Sequence, residues 1–115
     1  MDPHQQRKLI GLIGLGVRGR GAVVGVERVR DAAKRGKLHL AIAAPDASSN
    51  SLDKVVPLLQ ARGISVLAGP SATDLGNAVG RETAAVVGIV DKGLAKGIRA
   101  LSVDALPNVV KEDVV

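Results

Sequence analysis

The chain has 115 residues, 46% of them hydrophobic, no Phe, Tyr, Trp or Cys, and a formal net charge of +5. That composition excludes disulfides, thiolate chemistry and stacking of bases on aromatic rings, and leaves Leu, Ile, Val and Ala to build the core. No apolar run approaches the ~18 residues of a membrane span, and "MDPHQQRK" lacks the plan of a signal peptide, so a single cytoplasmic domain is the expectation.

The positive charge is unevenly spread. Residues 1–37 carry nine Lys/Arg against three acids, a balance of +6; residues 38–115 carry seven against eight, a balance of −1. A basic field confined to one third of the chain suits a surface facing a polyanion. It suits a merely solvated face as well.

In chain order, the first feature is "GLIGLGVRGRG", residues 11–21. Within it Gly14, Gly16 and Gly19 spell G-x-G-x-x-G. A dinucleotide site would need a strand before the turn, a helix after it, and an acid about 20 residues further on. "KLIGLI" can supply the strand, but Asp46 lies 27 residues beyond Gly19, and Gly21 and Gly25 disfavour an uninterrupted helix directly after the turn. The same residues fit a helix with Leu9, Leu12, Ile13, Gly16 and Val17 on one face. The local pattern leaves both readings open, and with the first a small nucleotide-binding enzyme fragment.

From residue 25 the punctuation is clearer. "GVERVRDAAKRGK" places Val26, Val29, Ala32 and Ala33 on one stripe and predicts a helix ended by Gly36. "LHLAIAA" reads as a strand and "PDASSNS" as a loop. "LDKVVPLLQARG" reads as a helix stopped by Gly63, in which Pro57 marks either a kink or a late start. "ISVLAG" is a second strand. "SATDLGNAVG" is a helix opened by Ser71 and Asp74 and closed by Gly80. "TAAVVGIV" is apolar enough for a strand buried on both faces. Asp91 caps a last helix, "KGLAKGIRAL", and residues 102–115 read as a loose tail. Helices alternating with strands predict an α/β sandwich.

Other chemistry-bearing residues read blandly. His39 has no second ligand nearby in sequence, and His4 sits in a terminus expected to fray. Asp46 and Asp53 have no base or nucleophile placed beside them, and Ser48–Ser51 is a turn and helix cap. Neither a metal nor a cofactor is implied.

The strings "KLIGLIGLGVRGRGAVVGVERVRDAAKRGKLHLAIAAPDAS", "ARGISV" and "DLGNAVGRETAAVVGIVDKGLAKGI" resemble the ribosomal protein L-seven-Ae/L-thirty-e family, nearest to its bacterial YlxQ-type branch, from Lys8 to Leu101. The resemblance implies a three-layer α-β-α sandwich around a small mixed four-stranded sheet, with residues 1–101 as one domain and residues 8 to about 19 as its first helix. It implies a non-enzymatic protein that binds structured RNA of the kink-turn type, associated with ribosomal RNA or another structured RNA; a monomer is the default expectation.

The family sets the start of its second helix against the bent RNA backbone, where free N–H groups and the helix dipole meet phosphate. Its strong binders read Gly-x-Asn-Glu-x-x-Lys there; this chain reads Gly25, Val26, Glu27, Arg28, Val29, Arg30, Asp31. Glu27 can still accept from a base amino group and Arg28 can reach a phosphate or a guanine edge, whereas Asp31 removes a phosphate partner. The family's second contact is the loop after "LGNAVG", here Arg81, Glu82 and Thr83. Arg18 and Arg20 extend the basic cluster formed with Arg28. The departures at Glu27, Arg28 and Asp31 motivate an alternative, a protein-interaction module of the same fold.

Overall fold

A computed structural model describes residues 2–101; Met1 and residues 102–115, expected to form the loose tail, lie outside the described residues. Five helices alternate with four strands: α1 (Pro3–Arg18), β1 (Ala22–Val24), α2 (Val26–Lys34), β2 (Leu40–Ala43), α3 (Ser49–Ala61), β3 (Ser65–Ala68), α4 (Ala72–Ala78), β4 (Val86–Ile89) and α5 (Lys92–Arg99). The sheet order is β1-β4-β2-β3. β2 and β3 run parallel, joined through α3, while β4 is antiparallel to both β1 and β2. The fold is the three-layer sandwich with a mixed four-stranded sheet that the sequence implies.

The register sorts the layers. Leu40 pairs with Ile89, Ile42 with Val87, and Ala22 and Val24 with Ile89 and Val87. All six pack in one buried cluster with Leu9 and Ile13 of α1, Leu75 of α4 and Ala95 and Ile98 of α5. The alternate residues Ala41, Ala43 and Val86 pack on the other face with Val29, Ala32 and Ala33 of α2 and Val55 and Leu59 of α3. Side chains alternate across a strand, so each strand feeds both layers. β4 lies between two strands and two helical layers and is buried along its length, which is why its sequence is continuously apolar.

The G-x-G-x-x-G stretch lies in and at the end of α1, so it is no strand–turn–helix phosphate loop. Its glycines let α1 settle closely on its neighbours. A β-carbon on Gly14 would lie 3.3 Å from the Ala78 carbonyl oxygen at the end of α4, and one on Gly16 would collide with the Leu94 side chain of α5. Glycine costs up to ~1 kcal/mol per position in a helix, and the buried Leu9 and Ile13 offset that cost. α1 starts five residues before the expected boundary at residue 8. The Asp2 carboxylate accepts from the Gln5 N–H at 2.8 Å and Pro3 fills the first helical position, so His4 lies in the first turn rather than in a frayed end. The dipeptide Asp2-Pro3 is a readable start signal that the hydrophobic pattern alone does not register.

Two further details refine the sequence reading. α3 runs through Pro57, whose missing N–H frees a carbonyl one turn back; Pro57 is exposed, so water can serve that carbonyl. β1 is the element the local sequence pattern does not show. It has only three residues, flanked by Gly21 and Gly25, and is held by pairing with β4. No helix among the described residues is long and apolar enough to cross a membrane.

Candidate nucleic-acid interface

Four of the five helices have their N-termini capped by a side chain: Asp2 on α1, Ser48 on α3, Ser71 on α4 and Asp91 on α5. Among the described residues α2 is the exception. Its N-cap is Gly25, which has no side chain to give. The Gly25 carbonyl accepts the first helical bond, from the Val29 N–H at 3.0 Å. The N–H groups of Val26, Glu27 and Arg28 come before that bond and have no intrahelical acceptor. They carry the positive end of the helix dipole.

The backbone at Gly25 is special. With φ +100° and ψ 158° it occupies a region essentially reserved for glycine. Its own N–H donates to the Val86 carbonyl at 3.0 Å, tying the start of α2 to the central strand. The helix therefore begins abruptly off β1, with no side-chain cap on its first turn.

Beside this start lies an open hollow of about 360 Å³, lined by Val17, Arg20, Ala22, Val23, Val24, Arg28, Val79 and Arg81. Three arginines from three separate stretches of chain meet there over an apolar floor, and no acid lines it. Arg20 leaves the end of α1, Arg28 belongs to the first turn of α2, and Arg81 follows α4. Guanidinium groups so grouped suit phosphate oxygens, which they can bind bidentately.

Arg20 is held in place by an unusual turn. The Gly21 N–H donates to the Gly16 carbonyl at 2.7 Å and the Arg20 N–H to the Val17 carbonyl at 3.3 Å. This is the double closure of a Schellman motif, whose left-handed position normally holds glycine. Here Arg20 holds it, with φ +62°. Gly21 is needed next door, because a β-carbon there would lie 2.9 Å from Asp91 Cβ.

The remaining expected site residues are divided. Glu27 and Asp31 line a neighbouring hollow of about 460 Å³ with Arg28, Arg35 and Lys37 over Val23, Ala32 and Val90. Within it Asp31 and Arg35 form an exposed ion pair at 3.1 Å. Arg28 lines both hollows. Arg18 lines neither, so the expected trio of Arg18, Arg20 and Arg28 is split. A helical side chain leans towards the preceding turn, and the Arg18 guanidinium lies back along α1, where Nη1 would be 3.5 Å from a β-carbon on Gly14.

Arg81, Glu82 and Thr83 are all exposed, but only Arg81 lines the hollow. Thr83 serves the fold through its backbone, which lies directly on Gly76 of α4. Val17 and Val79 also line the hollow, and sequence reasoning did not single them out for it. Both are ordinary aliphatics, and only the meeting of α1 with α4 marks them out.

Polar groups outside the two hollows brace the fold. Asp46 Oδ1 accepts from the Ala72 N–H at 2.7 Å, bracing the start of α4. The His39 carbonyl accepts from Arg99 at 2.9 Å. Arg30 donates to the Lys54 carbonyl and so ties α2 to α3.

A comparison with curated protein sequences gives no match at a significant level. Among solved structures, a protein of unknown function from Bacillus halodurans C is 30% identical, with a TM-score of 0.75 over 82% of this chain and 95% of that one. The Giardia lamblia 15.5kD RNA binding protein is 19% identical, with a TM-score of 0.71 over 88% of this chain and 92% of that one. A model of the ribosomal protein L7Ae/L30e/S12e/Gadd45 family matches residues 8–98. The chain belongs to that family.

Proposed function

We propose that this protein binds structured RNA, of the kink-turn type, through the uncapped start of α2 and the three-arginine hollow beside it. The observation that carries the reading is the coincidence of those two features. Arg28, in the uncapped first turn of α2, lines the same hollow as Arg20 and Arg81. Each feature favours phosphate, and together they offer a fixed geometry that bent RNA can match and a straight duplex matches less well. Family membership supports the reading, as does the fold shared with a protein described as RNA-binding.

In this reading residues 1–101 act as one domain, without enzymatic activity, as a monomer in the cytoplasm and in association with ribosomal or similarly folded RNA. Phosphate contacts from the arginines fix register, and Glu27 accepts from an exposed base amino group. Arg81 holds the RNA from the far side of the hollow. Glu82 and Thr83 shape the loop that carries it. Fluorescence anisotropy with a kink-turn RNA and a plain duplex of equal length tests the proposal. The kink-turn should bind more tightly, and both affinities should fall as salt is raised.

The second hollow favours a second reading, a protein-interaction module. Its apolar floor and its mixture of Glu27, Asp31, Arg35 and Lys37 suit a protein partner better than a polyanion. Salt-insensitive capture of a protein partner after nuclease treatment, without RNA affinity, would favour it.

A further inference from the structure

Among the described residues the sheet ends at β1, which pairs with β4 alone. The Gly25 N–H donates to the Val86 carbonyl, and the Val90 N–H to the Gly21 carbonyl. Bonded positions alternate along an antiparallel strand, so Gly21, Val23 and Gly25 are the residues that face β4. Ala22 and Val24 turn their N–H and C=O groups the other way. Among the described residues no turn, strand or side chain supplies those four groups with a partner. Both residues are buried, and backbone groups in such surroundings nearly always have a partner.

The unpaired edge opens into the three-arginine hollow, which both residues line. Val17 and Val79 belong to the layer on one side of the sheet, and α2 with Arg28 to the layer on the other. The Ala22 carbonyl and the Val24 N–H offer one acceptor and one donor on the same edge. A ligand that matches them needs a donor beside an acceptor on a flat rim, with apolar faces. The Watson–Crick rim of a nucleobase is such a group. Arg20, Arg28 and Arg81, with no acid among the lining residues, supply what the phosphate end of a nucleotide requires. At about 360 Å³ the hollow falls within the ~300–1,000 Å³ of small-molecule sites.

We propose that this hollow binds a free nucleoside polyphosphate, with the base on the outward edge of Ala22 and Val24 and the phosphates among Arg20, Arg28 and Arg81. The nucleotide is a ligand and no bond in it is broken. The proposal goes beyond the RNA reading and shares only the hollow with it; where both hold, nucleotide and RNA exclude one another.

Calorimetric titration of the full chain with ATP, GTP and inorganic tripolyphosphate separates base from phosphate. At least one nucleotide should bind about tenfold more tightly than tripolyphosphate, the gain expected from two edge hydrogen bonds. Arg20→Ala and Arg81→Ala should each weaken that nucleotide about tenfold. Hydrogen exchange needs no variant: the Val24 amide should slow when the nucleotide is added and keep its rate in tripolyphosphate. Nucleotides that bind no better than tripolyphosphate, or a Val24 amide that the nucleotide leaves unchanged, would overturn the proposal. Kink-turn RNA is titrated separately. Nucleotide binding without RNA binding would count against the RNA reading alone, and RNA binding without nucleotide binding against this proposal alone.

Discussion

Gly76 and Thr83 meet backbone to backbone: a β-carbon on Gly76 would lie 2.5 Å from Thr83 Cα and 2.6 Å from the Thr83 nitrogen. The loop that carries Arg81 is thus laid directly on α4, and the Arg81 N–H donates to the Gly76 carbonyl at 2.8 Å. The position of one hollow-lining arginine depends on the absence of a side chain on the helix below it.

A contrast between two helical glycines follows. Gly76→Ala gains helix propensity but forces backbone apart, so it should cost ~1–3 kcal/mol and weaken RNA binding by displacing Arg81. Gly11→Ala, in α1 with open space around it, should raise stability by ~0.5–1 kcal/mol. Urea denaturation of the two variants reads both signs.

Arg20 separates stability from function. It holds a left-handed position at a cost of ~1–2 kcal/mol, part of which glycine would recover against its own entropy. Arg20→Gly should therefore raise the denaturation midpoint while lowering RNA affinity. A fall in both would mean that Arg20 stabilises the turn through its side chain.

Much of this arrangement is legible in the sequence, and the failures have physical causes. Helices from α2 onward, three of the four strands and most caps follow from apolar spacing and from Ser71, Asp91, Gly36, Gly63 and Gly80, because those signals are local. β1 is not legible: three residues are too few for a period, and its partner β4 is more than 60 residues away in sequence. The residues alone left α1 open between helix and phosphate loop, because its glycines answer to contacts with α4 and α5. At the site, the Gly25 start was readable from the family pattern. The grouping of Arg20 and Arg28 with Arg81, and the exclusion of Arg18, depend on tertiary geometry.

The split of the arginines predicts different salt responses. Arg28→Ala and Arg81→Ala should each weaken binding across RNAs and reduce the slope of log affinity against log salt by ~1. Arg18→Ala, at a position that lines neither hollow, should leave the slope unchanged. Salt titrations of the three variants against one RNA make the comparison.

Asp31 offers a gain of function. Its pair with Arg35 is exposed on both sides, so Asp31→Lys should change stability by at most ~0.5 kcal/mol. It should also raise kink-turn affinity, by removing a negative charge from the helix proposed to face RNA and adding a positive one. Parallel denaturation and anisotropy measurements check both halves.

Gly25 tests the start of α2. Its φ of +100° makes Gly25→Ala strained by ~1–3 kcal/mol, so this variant should be less stable and bind RNA weakly even where it remains folded. Circular dichroism at the binding temperature establishes the folded fraction against which affinity is read.

The most direct measurement is a titration of kink-turn RNA into isotope-labelled protein, followed residue by residue through the amide signals. The account predicts that the largest shifts fall on Val26, Glu27 and Arg28 at the start of α2, on Arg20, and on Arg81. Shifts concentrated on the outer face of α1, or no shifts at a concentration of RNA that saturates other kink-turn binders, would contradict it.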